Sequence, residues 1–150
     1  MRCLTVLLSF LMTSCGSGLT SNAYVEKEIE QYVDKFNLLY NEKVNIEIRF
    51  KDLKDSTAGI CYYYESGSSM NYIEIDKEIF SNYSDLGREE LVFHELGHCI
   101  FDRDHSTQRI NYGGYSVPDS IMYPYTFGDS WFYEKNLAYY YDELVKNKGK

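Results

Sequence analysis

The chain has 150 residues, with 15 basic and 23 acidic side chains and a formal net charge of -8 at pH 7. This length fits one domain, and the acidic balance argues against a nucleic-acid-binding protein because no basic stripe is available to neutralise phosphates. A hydrophobic content of 44% with 17% aromatic residues argues against a disordered chain.

The first 14 residues are predicted to be an export signal. Arg2 supplies a positive charge, and an apolar run follows from Leu4 to Met12. This run is shorter than the roughly 20 residues of a membrane-spanning helix, and its length suits a signal peptide. The alternative to the lipoprotein signal described next is an ordinary secretory signal, which would also export the protein.

The segment Leu-Met-Thr-Ser-Cys at residues 11–15 resembles a bacterial lipobox. The resemblance implies a lipoprotein-type signal at 1–14, acylation of Cys15, a tether at 15–21 and a folded domain at 22–150. The expected location is therefore the surface of a bacterial membrane, facing the periplasm or the cell exterior. Cys15 would be an incidental cysteine if the signal were of the ordinary secretory type.

Export also bears on the remaining cysteines. Cys3 leaves with the signal and Cys15 is used for lipidation, so Cys61 and Cys99 remain as an even pair. In an oxidising compartment such a pair can form a disulfide. Two buried thiols that act as small hydrophobic side chains are the alternative.

The periodicity of the remaining chain predicts three helices and three strands. The predicted helices run over Thr20–Tyr40, with Thr20, Ser21 or Asn22 as N-cap, over Leu86–Phe101, with Ser84 or Asp85 as N-cap, and over Phe132–Val145, with Asp129 or Ser130 as N-cap. The predicted strands run over Val44–Phe50, Ile60–Tyr64 and Tyr72–Ile75.

The stretch from Asp102 to Phe127 shows no period and is predicted to consist of turns. Together these elements predict an α+β fold. A small twisted mixed sheet of three to five strands would pack against the first and second helices, and the C-terminal helix would cover a flank.

The segment His94-Glu95-Leu96-Gly97-His98 lies inside the second predicted helix. Residues four apart share one helix face, so His94 and His98 can both reach one Zn²⁺ at about 2.0–2.1 Å. Glu95 lies beside them, where it is suited to act as the general base on a zinc-bound water. A pair of surface histidines on an amphipathic helix is the alternative.

Two further features accompany this HExxH segment. His105 is the third histidine of the chain, and Ser-Ile-Met-Tyr-Pro at residues 120–124 resembles a Met-turn. Together the motifs resemble the metzincin superfamily of zinc peptidases, which includes matrixins and astacins. The resemblance implies a zincin-like fold, Zn²⁺ held by His94, His98 and His105, Glu95 as the catalytic residue, and Met122 beneath the metal.

The sequence departs from the metzincin pattern HExxHxxGxxH after the second histidine. Phe101 occupies the glycine position and Asp104 the third-ligand position, so His105 is one residue late. One extra residue in the turn would restore His105 as the ligand, with Asp102 in the left-handed conformation that glycine normally supplies. Asp104 remains a rival ligand. In a thermolysin-like arrangement the third ligand would instead be Glu134 or Glu143.

The resemblance implies a zinc-dependent metalloendopeptidase that acts on a peptide or protein substrate. Metzincins bind peptides along an exposed strand, a role that falls to Tyr72–Ile75, with Tyr123 and Tyr125 near the cleft. Asp102 and Asp104 are candidates to orient the imidazoles. We expect a monomer with a lipid anchor. The alternative function is a membrane-anchored, zinc-containing binding protein with a metzincin-like fold and no turnover.

Overall fold

A computed structural model describes residues 23–63 and 71–149. The predicted export signal, Cys15 and the tether at 15–21 lie outside the described residues. None of the described helices combines the length and apolarity needed to cross a bilayer.

The described chain is α+β, as predicted. Its helices are α1 (Lys27–Tyr40), α2 (Lys77–Asn82), α3 (Asp85–Phe101), α4 (Trp131–Lys135) and α5 (Leu137–Lys146). Its strands are β1 (Glu47–Lys51), β2 (Gly59–Tyr62), β3 (Tyr72–Asp76), β4 (Arg109–Tyr112) and β5 (Tyr115–Pro118). The first three strands form a mixed sheet, and the last two form a separate antiparallel hairpin.

The three-stranded sheet has the order β1-β3-β2. β3 pairs in parallel with β1, where Ile73 lies opposite Ile48, and antiparallel with β2, where Ile73 lies opposite Cys61. The prediction that Tyr72–Ile75 is the exposed substrate-binding edge is therefore wrong, because both sides of β3 are already paired. β2 lies at the end of this sheet, and its second edge has no strand partner among the described residues.

The first helix begins at Lys27 rather than at Thr20. Residues 23–26 are extended instead, because the N–H of Glu26 donates to the Ile48 carbonyl at 3.0 Å and the N–H of Ile48 donates to the Tyr24 carbonyl at 2.9 Å. The predicted N-caps at residues 20–22 lie outside the described residues. Pairing with the sheet thus replaces a helical turn that the periodicity alone would favour.

The C-terminal helix, predicted as one element, is two. Asn136 leaves the helical region with φ -126° and ψ 25°, and its side-chain amide donates to the Phe132 carbonyl at 2.7 Å. A local side-chain bond of this kind competes with the helical backbone pattern. The hairpin was also missed; Gly113 and Gly114 form its turn with φ of 59° and 89°, which suits a glycine pair.

α3 runs through the middle of the core. Phe36 of α1 packs on Phe93 of α3 with ring centroids 5.3 Å apart, while Ile48 and Ile73 are fully buried in the sheet. Ser84 caps the helix by accepting from the N–H of Gly87 at 3.2 Å. Because neighbours surround α3, the side chains that it carries are held on a rigid support.

Candidate metal centre

The structure brings His94, His98 and His105 together. One ring nitrogen from each lies within 4.8 Å of the others. The Nε2 of His94 is 3.1 Å from the Nε2 of His98 and 3.1 Å from the Nε2 of His105. Among the described residues, this is the group of histidine, cysteine and acidic side chains whose geometry could hold a metal ion.

The turn that follows α3 delivers His105 to this cluster. Asp102 ends the helix in the left-handed region with φ 52° and ψ 48°, the conformation predicted for it in place of the family's glycine. The rival ligand Asp104 is exposed and stands outside the cluster. Glu134 is exposed, and the carboxylate of Glu143 pairs with Arg103 at 2.8 Å.

Two backbone carbonyls orient the helix histidines. The Nδ1–H of His94 donates to the Ile121 carbonyl at 2.8 Å, and the Nδ1–H of His98 donates to the Arg103 carbonyl at 2.5 Å. These bonds place the protons on Nδ1 and leave the Nε2 lone pairs directed into the cluster. In the structure carbonyl groups, rather than the predicted side chains of Asp102 and Asp104, orient both rings.

Electrostatics favours the neutral form of both rings. Burial, together with the neighbouring His98, lowers the pKa of His94 to about 3. Burial also lowers the pKa of His98, against the opposing effect of the Arg103 carbonyl. A neutral imidazole is the form that binds a metal, so neither ring has to lose a proton at neutral pH.

Two of the three nitrogen separations fit a tetrahedral metal ion. Two nitrogens that each lie about 2.0–2.1 Å from one tetrahedral Zn²⁺ are about 3.3–3.4 Å apart. The two Nε2 separations of 3.1 Å are close to this value. The donor set of three imidazoles, with room for a fourth ligand, is typical of catalytic zinc sites.

Glu95 lies beside the histidines and is almost completely buried. Burial raises the pKa of its carboxyl to about 8, although a hydrogen bond from the Cys61 N–H opposes this shift. Its Oε2 has no hydrogen-bond partner among the described residues. Gly59 was missed in the sequence: a Cβ there would lie 2.6 Å from the Glu95 Oε1, so only glycine leaves room for this carboxylate.

Met122 is fully buried next to the HExxH helix. The preceding residue, Ile121, supplies the carbonyl that orients His94. The turn therefore has two roles at the site, one through the Met122 side chain in the core and one through a backbone oxygen.

A cleft of about 570 Å³ opens in front of the histidines and Glu95. One wall is β2, and the opposite wall is the segment Tyr123–Thr126. Tyr123 and Tyr125, which were both predicted to lie near the cleft, line it. At one side Tyr83 and Thr126 meet through their hydroxyl groups, which are 2.6 Å apart.

The cysteines of the described chain are joined. Cys61 on β2 and Cys99 on α3 form a disulfide with an S–S distance of 1.98 Å. Cys99 follows the ligand candidate His98 directly, and Cys61 donates its N–H to Glu95. The bridge therefore connects the cleft wall to the helix that carries the histidines.

Comparison with known proteins identifies a family described as "Putative phage metallopeptidase", which matches residues 48–116, less than half of the chain. The matched stretch contains His94, Glu95, His98 and His105 and ends before Met122. Searches among curated proteins and among solved structures gave no significant match. The family match supports a metallopeptidase, and together with the histidine cluster it supports a metal ion at this centre.

Proposed function

We propose that this chain is a zinc-dependent metalloendopeptidase with a metzincin-like fold, in which His94, His98 and His105 hold Zn²⁺. One observation carries the proposal. Two rings are fixed by carbonyl acceptors so that their Nε2 lone pairs face each other at 3.1 Å. Two lone pairs at this distance repel unless a cation lies between them, so the arrangement makes physical sense as a metal site.

The identity of the metal follows from the donors. Imidazole nitrogen suits zinc and several other transition metals, whereas Mg²⁺ and Ca²⁺ prefer oxygen ligands. Three protein ligands with an open fourth position distinguish catalytic from structural zinc sites. The register of the turn supports His105 as the third ligand, because Asp102 absorbs the additional residue in its left-handed conformation.

When bound, Zn²⁺ lowers the pKa of water to about 7 and polarises a carbonyl group. The charge of a bound cation would lower the raised pKa of Glu95, so that its carboxylate can accept the proton of the attacking water and deliver it to the leaving amide nitrogen. Its Oε2 is available for this because it is unpaired within the described chain. The Cys61 N–H and the space left by Gly59 hold the carboxylate in place.

The substrate class follows from the wall of the cleft. β2 has one edge free of β-pairing among the described strands, and its residues line the cleft beside Glu95. A peptide in extended conformation can add to this edge through main-chain hydrogen bonds. A peptide bound in this way would have its scissile bond near Glu95 and the histidines, which supports the proposal of an endopeptidase that acts on an extended segment.

The alternative, a zinc-containing binding module without turnover, rests on the departure from the metzincin pattern at Phe101. The position of Glu95 favours the enzyme. A metal-binding module has no use for a carboxylate that is buried, has no Oε2 partner within residues 23–63 and 71–149, and is accommodated by a glycine at position 59. Burial of such a group costs free energy, and a role in catalysis explains why the chain retains it.

We also propose that the enzyme acts as a monomer tethered by acylated Cys15 to a bacterial membrane surface. The support is the short apolar run that ends in Met-Thr-Ser-Cys. Replacement of Cys15 by Ser should release protein from the membrane fraction or leave it unprocessed. Unchanged fractionation, with no acyl mass on the mature terminus, would contradict this part of the proposal.

The test of the peptidase is cleavage of casein with and without a chelator, followed by restoration with Zn²⁺. Glu95→Gln keeps the shape and removes the base, so zinc content should persist while the cleavage rate falls by about 10²–10⁴-fold. Glu134→Gln, an exposed glutamate on α4, is the matched control and should cleave normally. Zinc binding without cleavage of any peptide by the wild type would favour the binding module.

A further inference from the structure

Arg103 places a positive charge in the protein interior. Its side chain is 4% exposed, and it pairs with the 12%-exposed side chain of Glu143 at 2.8 Å. A buried ion pair contributes little to stability on average, because desolvation of the charges offsets their attraction. The contacts of this particular arginine suggest a different role.

The main chain of Arg103 acts on one metal ligand. Its carbonyl accepts the Nδ1–H of His98 at 2.5 Å. Its own N–H donates to the Gly97 carbonyl at 3.2 Å, which ties the residue to the end of α3. The orientation of the His98 ring therefore depends on where Arg103 is held.

The side chain of Arg103 reaches the segment that acts on the other helix ligand. Its Nη2 donates to the Ser120 hydroxyl at 3.3 Å, and that hydroxyl accepts the Met122 N–H at 3.0 Å. Between these two residues lies Ile121, whose carbonyl accepts from His94. A single residue thus connects the two carbonyls that orient His94 and His98.

The remaining guanidinium contacts fix Arg103 to α5. Nη1 donates to the Leu144 carbonyl at 2.9 Å and Nη2 to the Glu143 carboxylate at 2.8 Å. α5 also contacts the segment that precedes the turn, because the Tyr140 hydroxyl donates to the Pro118 carbonyl at 2.8 Å. The planar fork of arginine can serve these acceptors at once, whereas a lysine ammonium at that position cannot match the geometry.

We infer that Arg103 is a positioning residue for the metal centre: it couples the carbonyl that orients His98 to the turn that orients His94, with α5 as the support. This inference rests on the proposed metal site. It does not require that the site be catalytic, because its effect is exerted on the metal ligands. Groups of this kind typically change metal affinity by about 10–100-fold when they are removed.

The test uses Co²⁺ as a spectroscopic probe in protein from which the native metal has been removed. Arg103→Gln should weaken Co²⁺ binding about 10–100-fold and shift the visible absorption of the saturated site. Arg103→Lys keeps the charge, so its Co²⁺ affinity should lie between those of Arg103→Gln and the wild type. Ser120→Ala removes the hydroxyl that joins the Arg103 Nη2 to the Met122 N–H and should also shift the spectrum, which keeps the test valid if Arg103→Gln does not fold.

The matched control is Arg49→Gln, because Arg49, like Arg103, forms an ion pair with glutamate, but it lies on β1 and its hydrogen bonds within the described chain go to Glu47 and Glu74. It should leave the Co²⁺ spectrum unchanged. Wild-type affinity and spectrum in Arg103→Lys and Ser120→Ala, even with a lowered unfolding temperature, would overturn the inference. Failure of the wild type to bind Co²⁺ would overturn the metal site as well. Normal Co²⁺ binding without peptidase activity would overturn only the enzyme proposal.

Discussion

Gly97 and Met122 fit together so closely that a Cβ on Gly97 would lie 2.5 Å from the Met122 sulfur. The glycine lies between the two helix histidines, at a position where propensity alone would favour alanine by about 1 kcal/mol. The close approach explains why glycine is present: without a Cβ at residue 97, the Met122 side chain can pack directly against α3. The sequence of the helix and that of the turn are therefore matched at this contact.

We expect Gly97→Ala to destabilise the protein by about 1–3 kcal/mol, because the added methyl group overpacks a filled site. The measurement is urea unfolding of the metal-free protein. Gly97→Ala should cost less stability when it is introduced into Met122→Ala than when it is introduced into the wild type, because the smaller side chain at 122 leaves room for the methyl group. An increase in stability, as helix propensity predicts, would show that the contact does not constrain the helix.

We expect His105→Ala to lose the bound metal while Asp104→Ala retains it. The nitrogen of His105 belongs to the cluster, whereas Asp104 is exposed and outside it. Metal content by elemental analysis, with about one equivalent of zinc in the wild type, checks this. Full zinc in His105→Ala together with loss in Asp104→Ala would transfer the third-ligand role to the aspartate.

We expect Glu90→Gln to stabilise the protein increasingly as pH rises. Burial raises the pKa of Glu90 well above its ordinary value near 4.5, against weaker opposition from the N–H groups of Phe127 and Gly128. The native state therefore keeps a proton that the unfolded chain releases, so the stability of the wild type falls as pH rises above about 4.5. Glutamine never ionises and avoids this loss.

The measurement is urea unfolding of Glu90→Gln and wild type at pH 4 and pH 8. The stability difference should grow by more than about 1 kcal/mol in favour of the variant, since each unit of pKa shift corresponds to about 1.4 kcal/mol. Glu28→Gln, which changes an exposed glutamate of α1, serves as control and should show no such trend. A pH-independent difference would mean that Glu90 is ionised in the native state.

We expect loss of the Cys61–Cys99 bridge to cost about 2–4 kcal/mol, because the crosslink spans 38 residues and restricts the unfolded chain. Thiol titration of the unreduced, unfolded mature protein, from which Cys3 has been removed and in which Cys15 is acylated, should find neither Cys61 nor Cys99 free. The variant Cys61→Ala/Cys99→Ala should show the reduced stability in urea. Two reactive thiols in the unreduced mature protein would contradict the bridge.

Local patterns account for what could be predicted. The α+β class and the placement of His94 and His98 on one helix face follow from spacing over a few residues, and the left-handed Asp102 follows from the resemblance to the metzincin pattern. The start of α1 could not be found this way, because the pairing of Glu26 with Ile48 is a tertiary contact. Periodicity cannot report a preference that is decided by a distant strand.

The groups that orient the site were hidden for a different reason. Every residue type has a backbone carbonyl, so no pattern of side chains could identify the carbonyls of Ile121 and Arg103 as the groups that orient the histidines. Gly59 carried a weak signal, since a glycine at the start of an apolar strand can indicate close approach of another group. The Gly113-Gly114 pair between two tyrosines can indicate a hairpin turn. The hairpin was not predicted because the flanking residues show no clear alternation of apolar and polar side chains.

The contacts of Arg103 with Glu143 and Leu144 join residues 40 and 41 positions apart, whereas His94 and His98 are four apart. A chain that is synthesised from its N-terminus therefore completes the histidine helix before α5 is available. Contacts between distant residues also tend to form late in folding. The consequence is a delay in maturation: the support for the two orienting carbonyls is complete only once α5 has folded against Arg103.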